Sequence, residues 1–203
     1  MNDDNFNFND APPQRDPERK QELLPPDVYH LQIEALPGGV VDPLCLAKNQ
    51  RTSHLEVKYT VIGGDYDGCS LYDNITLRFD DTEYEYNDPD AIVPPPLTPK
   101  LRRNYTEAVK IGRAKVRAIL ESAFAIDPKD QSPEACRKRD IGDLLKLTGL
   151  EFWGRVEIKK GTDKYPDKNE LYCVVTPNMA DWPQSDERGL VPRSNDLRDE
   201  IPY

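Results

Sequence analysis

"LEVKYTVIGGDYDGCSLYDNITLRF", Leu55 to Phe79, is the stretch on which the fold turns. Leu55, Val57, Tyr59 and Val61 alternate with Glu56, Lys58 and Thr60, the period of two that marks a half-buried strand. "GGDYDG" follows, a glycine-rich turn whose residues tolerate positive φ. The chain then resumes with "CSLYDNITLRF", so the whole reads as a β-hairpin.

The same alternation appears on either side. Upstream, "YHLQIEA" sets Tyr29, Leu31, Ile33 and Ala35 against His30, Gln32 and Glu34. Downstream, "VPPPLTP" excludes helix and sheet ladder, and then the pattern lengthens to that of a helix. In "YTEAVKIGRAKVRAILESAF" Thr106 is the expected N-cap, and Ala108, Val109, Ile111, Val116, Ile119, Leu120 and Phe124 form an apolar stripe. Lys110, Arg113, Lys115 and Arg117 fall on the other face. A short helix, "IGDLLKLTG", precedes two more strands, "EFWGRVEIKK" and "LYCVVTP", joined by the polar loop "GTDKYPDKNE". The expected fold class is α+β, mainly β with one or two helices. Five strands with a helix between the third and fourth is the element order of an OB-fold-like, partly open barrel.

Charge is segregated around this body. The chain holds 37 acids and 27 bases, a formal net charge of −10, which taken alone argues against nucleic acid. Residues 1–27 carry seven acids and three bases, residues 181–203 six and three, and the block from Asp80 to Asp90 six acids and no base. The remainder has 18 acids against 21 bases, a mildly basic body with acidic appendages. The expected organisation is a disordered N-terminal arm at 1–27, a domain at 28–180 with an acidic, proline-rich insertion at about 80–99, and a disordered acidic tail at 181–203.

No apolar run approaches the roughly 20 residues of a membrane span, and the N-terminus lacks the pattern of a signal peptide. A cytoplasmic location is expected. Cys45, Cys69, Cys136 and Cys173 lie far apart without a CxxC pair, which favours free thiols in a reducing compartment over zinc. No metal and no cofactor are expected.

Strand phase gives the candidate site. With Leu71, Ile75, Leu77 and Phe79 buried, Tyr72, Asn74 and Arg78 face outward. Burying Phe152, Val156 and Ile158 turns out Trp153, Arg155 and Lys159. Burying Leu171, Cys173 and Val175 turns out Tyr172 and Thr176, and Lys58 joins from the earlier strand. Aromatic rings among cations suit single-stranded nucleic acid, whose bases stack and whose phosphates follow positive charge. Packing of these rings under a helix, or against a second copy in a homo-oligomer, is the alternative. The run from Lys100 through Arg102 and Arg103 extends the cationic track, or is a solvated helix surface.

One enzymatic pattern is present. Pro26-Asp27 followed by Glu56-Val57-Lys58 fits the loose PD…(D/E)xK arrangement of metal-dependent nucleases, where two carboxylates hold a cation and a lysine steadies water or phosphate. A degenerate copy, Glu157 to Lys159, shows how readily alternating strands produce it.

Three stretches, "RTSHLEVKYTVIGGDYDGCSLYDNITL", "GRAKVRAILESAF" and "FWGRVEIKKGTDKYPDKNELYCVVTPN", together resemble a family of phage-encoded single-stranded DNA-binding proteins. The similarity covers most of residues 28–178 and includes an asparagine, Asn169, before the last strand. The chain end, "DEIPY", is similar to the acidic tip of bacterial single-stranded DNA-binding proteins, although Tyr203 replaces phenylalanine and Arg198 interrupts the acidic run. The resemblance implies a non-enzymatic protein that coats single strands in replication, recombination or repair. It also implies that Ile201, Pro202 and Tyr203, flanked by Asp199 and Glu200, dock partner enzymes. A nuclease and a protein-only adaptor are the other function classes.

Overall fold

A computed structural model describes residues 23–38, 42–83, 96–163 and 165–183. The expected tip at Asp199 to Tyr203, most of both expected arms and residues 84–95 of the insertion lie outside the described residues. The elements in chain order are β1 (Asp27–Leu36), β2 (Cys45–Leu46), β3 (Thr52–Val61), β4 (Ser70–Phe79), α1 (Pro99–Ala123), α2 (Pro133–Arg139), a 3-10 turn (Leu144–Leu147), β5 (Glu151–Lys159) and β6 (Lys168–Val175).

The hairpin forms as its sequence implies: β3 and β4 pair antiparallel, with Gly63, Gly64 and Gly68 at positive φ in the turn between them. β1 pairs with β3 on one side and β5 on the other, and β6 pairs with β5. The five long strands therefore lie in the order β4-β3-β1-β5-β6, all antiparallel, with the two-residue β2 on β3 beside the end of β1. The outermost strands, β4 and β6, approach to within 8 Å at their Cα atoms, but no ladder joins them. The sheet is open rather than a hydrogen-bonded barrel.

The inner face gathers the alternating apolar residues. Leu31, Ile33, Leu55, Val57, Tyr59, Leu71, Ile75, Phe152, Val156 and Leu171 form one core with Val116, Ile119 and Leu120 of α1. Tyr59 and Phe152 meet edge to face at 5.5 Å. The inner face also carries Asp73, which accepts from the Tyr59 hydroxyl at 3.4 Å and pairs with Lys115 of α1 at 2.8 Å. Burial, and then the Asp73 charge, push the Tyr59 hydroxyl pKa well above its ordinary value.

The N-cap of α1 falls eight residues before the expected one. Thr98 accepts from the Leu101 amide and Pro99 occupies the first turn, where its missing N–H costs nothing. The Thr106 hydroxyl instead donates to the Arg102 carbonyl inside the helix. Gly112 lets α1 rest on β4, since a Cβ there would stand 1.9 Å from the Thr76 carbonyl oxygen. At the helix end the buried Glu121 receives Arg117 at 2.7 Å and Arg139 at 2.8 Å, tying α1 to α2. "IGDLLKLTG" forms only the single 3-10 turn, capped by Asp143.

Before β1, Leu24 is already buried at 2% exposure. Its amide donates to the Asn169 side-chain oxygen and its carbonyl accepts from the Asn169 side-chain nitrogen, both at 2.8 Å. Only a side chain that both donates and accepts can make this clasp.

Candidate nucleic-acid interface

The outer face is set by register, because residues directly opposite in an antiparallel ladder share a face. Lys58 stands opposite Tyr72 on one side and Glu34 on the other, and its ammonium pairs with Glu34 at 3.3 Å. Tyr72 is 65% exposed, so a flat ring lies open beside a cation.

Trp153 is opposite His30, and the two rings stack at 4.7 Å with 23° between planes. One indole face is thus covered and Trp153 is half-buried. Burial lowers the His30 pKa below the ordinary histidine value, opposed by Glu151, whose carboxylate lies 3.4 Å away.

Two β-bulges change the expected phases. In the β5–β6 ladder Arg155 opposes Cys173 while Val156 opposes Leu171, so Tyr172 is the extra residue. Leu171 and Val174 face the core, whereas Cys173 and Val175 share the face of Arg155 and Trp153, not the inward face assigned from simple alternation. Val175 is buried but lies outside the main core. Tyr172 remains outward, 62% exposed. In the β3–β4 ladder the register shifts beside Ser53, leaving Leu77 unpaired and placing Arg78 opposite Ser53, out of the row shared by Tyr72 and Asn74.

The candidate cations are mostly engaged. Arg78 binds Asp42 at 2.6 Å, and the Leu44 amide, followed by this contact, holds the Asp42 carboxyl below its usual pKa. Lys159 binds Glu170 at 3.0 Å, and Arg102 binds Asp81 at 2.7 Å and Glu83 at 3.4 Å. Arg155 binds Asp181, which raises the guanidinium pKa. On α1, Lys115 and Arg117 are held by Asp73 and Glu121 rather than lining an open face. Lys100 and Arg103 are exposed and make no ion pair among the described residues. Tyr72 and Tyr172 are exposed on the outer face, Lys58 is half-buried and paired with Glu34, Trp153 is partly covered, and Arg78, Arg102, Arg155 and Lys159 carry carboxylate partners.

One exposed ring lies outside the strands. Tyr165, in the β5–β6 loop, is 72% exposed. A lone aromatic in the polar string "GTDKYPDKNE" was its signal. Gly161 allows the loop to fold back, since a Cβ there would meet the Tyr165 carbonyl oxygen at 2.1 Å.

The nuclease constellation does not assemble. Asp27 pairs with Val156 at the start of β1, and Glu56 pairs with Leu36 at its end. Nine residues of strand separate these positions, about 30 Å, too far for the two carboxylates to share a cation. All four cysteines are free. Among the described residues, no helix is long and apolar enough to cross a membrane. In comparisons with known proteins, no family model and no curated relative matches the chain.

Proposed function

We propose that this chain is a sequence-independent single-stranded DNA-binding protein with an OB-like core, acting without catalysis in phage replication, recombination or repair in a bacterial cytoplasm. The observation that carries the reading is the pairing of exposed Tyr72 with Lys58 on the outer face of a sheet whose strands run β4-β3-β1-β5-β6. That order, with α1 inserted between the third and fourth long strands, supports the OB-like reading. Bases stack on Tyr72, Tyr172 and the exposed part of Trp153, which lies between His30 and Val175. Phosphates take the cations.

The ion pairs belong to the mechanism. Asp81, Glu83 and Asp181, partners of Arg102 and Arg155, come from the acidic insertion and the start of the acidic tail. Phosphates replace these carboxylates when a strand binds. The exchange holds the cations in place beforehand and sets a threshold that weak anions do not pass. Salt still weakens binding, because a bound strand releases its own counterions.

The tip supplies the second half of the function. Pro202 restricts the backbone, Ile201 and Tyr203 provide area to bury, and Asp199 and Glu200 suit a basic pocket on a replication or recombination enzyme. The test is a titration of labelled oligothymidine at low salt, with and without magnesium. Binding without cleavage is expected, together with intact strand binding and lost partner capture on deleting Ile201 to Tyr203. No shift at low salt would refute the reading. Magnesium-dependent cutting would mean a nuclease, and partner capture without strand binding an adaptor.

A further inference from the structure

β2 is only two residues long, and its register places Cys45 opposite His54. Opposed residues share a face, and Glu56, two positions along β3, points to the same side. The Cys45 sulfur, a His54 ring nitrogen and a Glu56 carboxylate oxygen all lie within 4.8 Å of one another. All three residues are half-buried.

Within this group Glu56 is the side-chain hydrogen-bond partner of the Cys45 thiol, but the imidazole is not satisfied. His54 Nε2 stands 3.6 Å from Glu56 Oε1, beyond normal hydrogen-bond length. The imidazole is only 15% exposed, and it makes no hydrogen bond among the described residues. Enclosed polar groups are ordinarily paired with protein or water, so an imidazole in this state is able to take a ligand. With zinc bonds of about 2.0–2.3 Å in a tetrahedron, neighbouring donors stand about 3.3–3.8 Å apart. The His54–Glu56 spacing already equals such an edge, and a side-chain adjustment at Cys45 closes the remainder. The backbone also leaves room for the sulfur. A Cβ at Gly38 would stand 2.6 Å from Cys45 Sγ, so glycine alone lets the chain cover the thiol.

We propose that Cys45, His54 and Glu56 form a divalent-metal site of the zinc class, with water in the fourth position. Cys45 binds as thiolate, releasing its proton to solvent, and the metal clips β2 onto β3 one row from Lys58 and Tyr72. The sequence hides the site, because the ladder rather than a CxxC spacing brings the donors together.

The test uses the full chain, stripped by chelator and titrated with cobalt(II). Equimolar binding with a thiolate-to-cobalt absorption band is expected, displaced by zinc, along with a raised thermal midpoint. Cys45→Ser and His54→Ala should each remove the band, while Cys136→Ser, which alters an exposed thiol elsewhere, should retain it. Glu56→Gln preserves shape and should weaken zinc by about tenfold or more, which keeps the test decisive if the other variants misfold. Absence of the band in the unaltered chain, its survival in Cys45→Ser, or unchanged zinc affinity in Glu56→Gln would overturn the site.

Discussion

Tyr59 and Lys58 are neighbours on β3 and live in different chemistries. Tyr59 lies between Ile33 and Leu71 with its ring against Phe152, and is fully buried. Lys58 lies between Glu34 and Tyr72 in reach of water. Inward contacts are mostly apolar and gain from mutual burial, so nothing competes for them. Apart from the His30–Trp153 stack, outward contacts are largely carboxylate pairs in high dielectric, worth little to stability and replaceable by a phosphate. Fold stability should therefore reside on one face and ligand affinity on the other.

The largest effect expected is on the inner face. Phe152→Ala should cost about 3–5 kcal/mol of stability, read by chemical denaturation, because a large ring is removed from a site with almost no exposure. A loss below 1 kcal/mol would mean that the core is not packed as described.

Gly112→Ala comes next and reverses an ordinary rule. Alanine normally stabilises a helix interior by about 1 kcal/mol relative to glycine. Here the added Cβ meets the Thr76 carbonyl, so a net loss of about 1–3 kcal/mol is expected from overpacking. A gain would show that α1 stands further from β4.

On the outer face the balance should invert. Asp181→Asn frees Arg155, leaving stability nearly unchanged while single-strand affinity rises about twofold to fivefold, the scale of an exposed ion pair. Weaker binding would assign Asp181 a direct part in holding the strand.

The smallest effect is a pH dependence at the junction of the two regimes. The folded His30 pKa is lowered by burial, so the unfolded chain takes up its proton first as pH falls. Stability should decline below the ordinary histidine value of about 6.5 and level off once pH is under the lower folded value. Tryptophan fluorescence should follow the same titration through the Trp153 stack, and His30→Gln should flatten the curve.

Much of this architecture was legible in the alternation of single residues. Leu55 to Val61 and the glycine turn gave the hairpin, and the longer apolar period gave α1. What alternation could not show depends on pairing. The bulge at Tyr172 reverses Cys173 and Val175, and the shift at Leu77 removes Arg78 from its row. An extra residue in a strand leaves no mark in composition. Thr98 was hidden by the prolines around it, although proline in the first helical turn is favourable. The clasp of Asn169 on Leu24 joins residues far apart in the chain and likewise required the fold. The engagement of cations by carboxylates far along the chain, such as Arg102 with Asp81, required the folded distances.

The central claim is that the outward tyrosines hold single strands while contributing little to the fold. It is tested most directly by titrating labelled oligothymidine at low salt with the Tyr72→Ala, Tyr172→Ala double variant, alongside its thermal midpoint. Stacking is worth about 1–3 kcal/mol per base, so affinity should fall by at least about tenfold while the midpoint stays close to that of the unaltered chain. Unchanged affinity in a folded double variant would contradict the account.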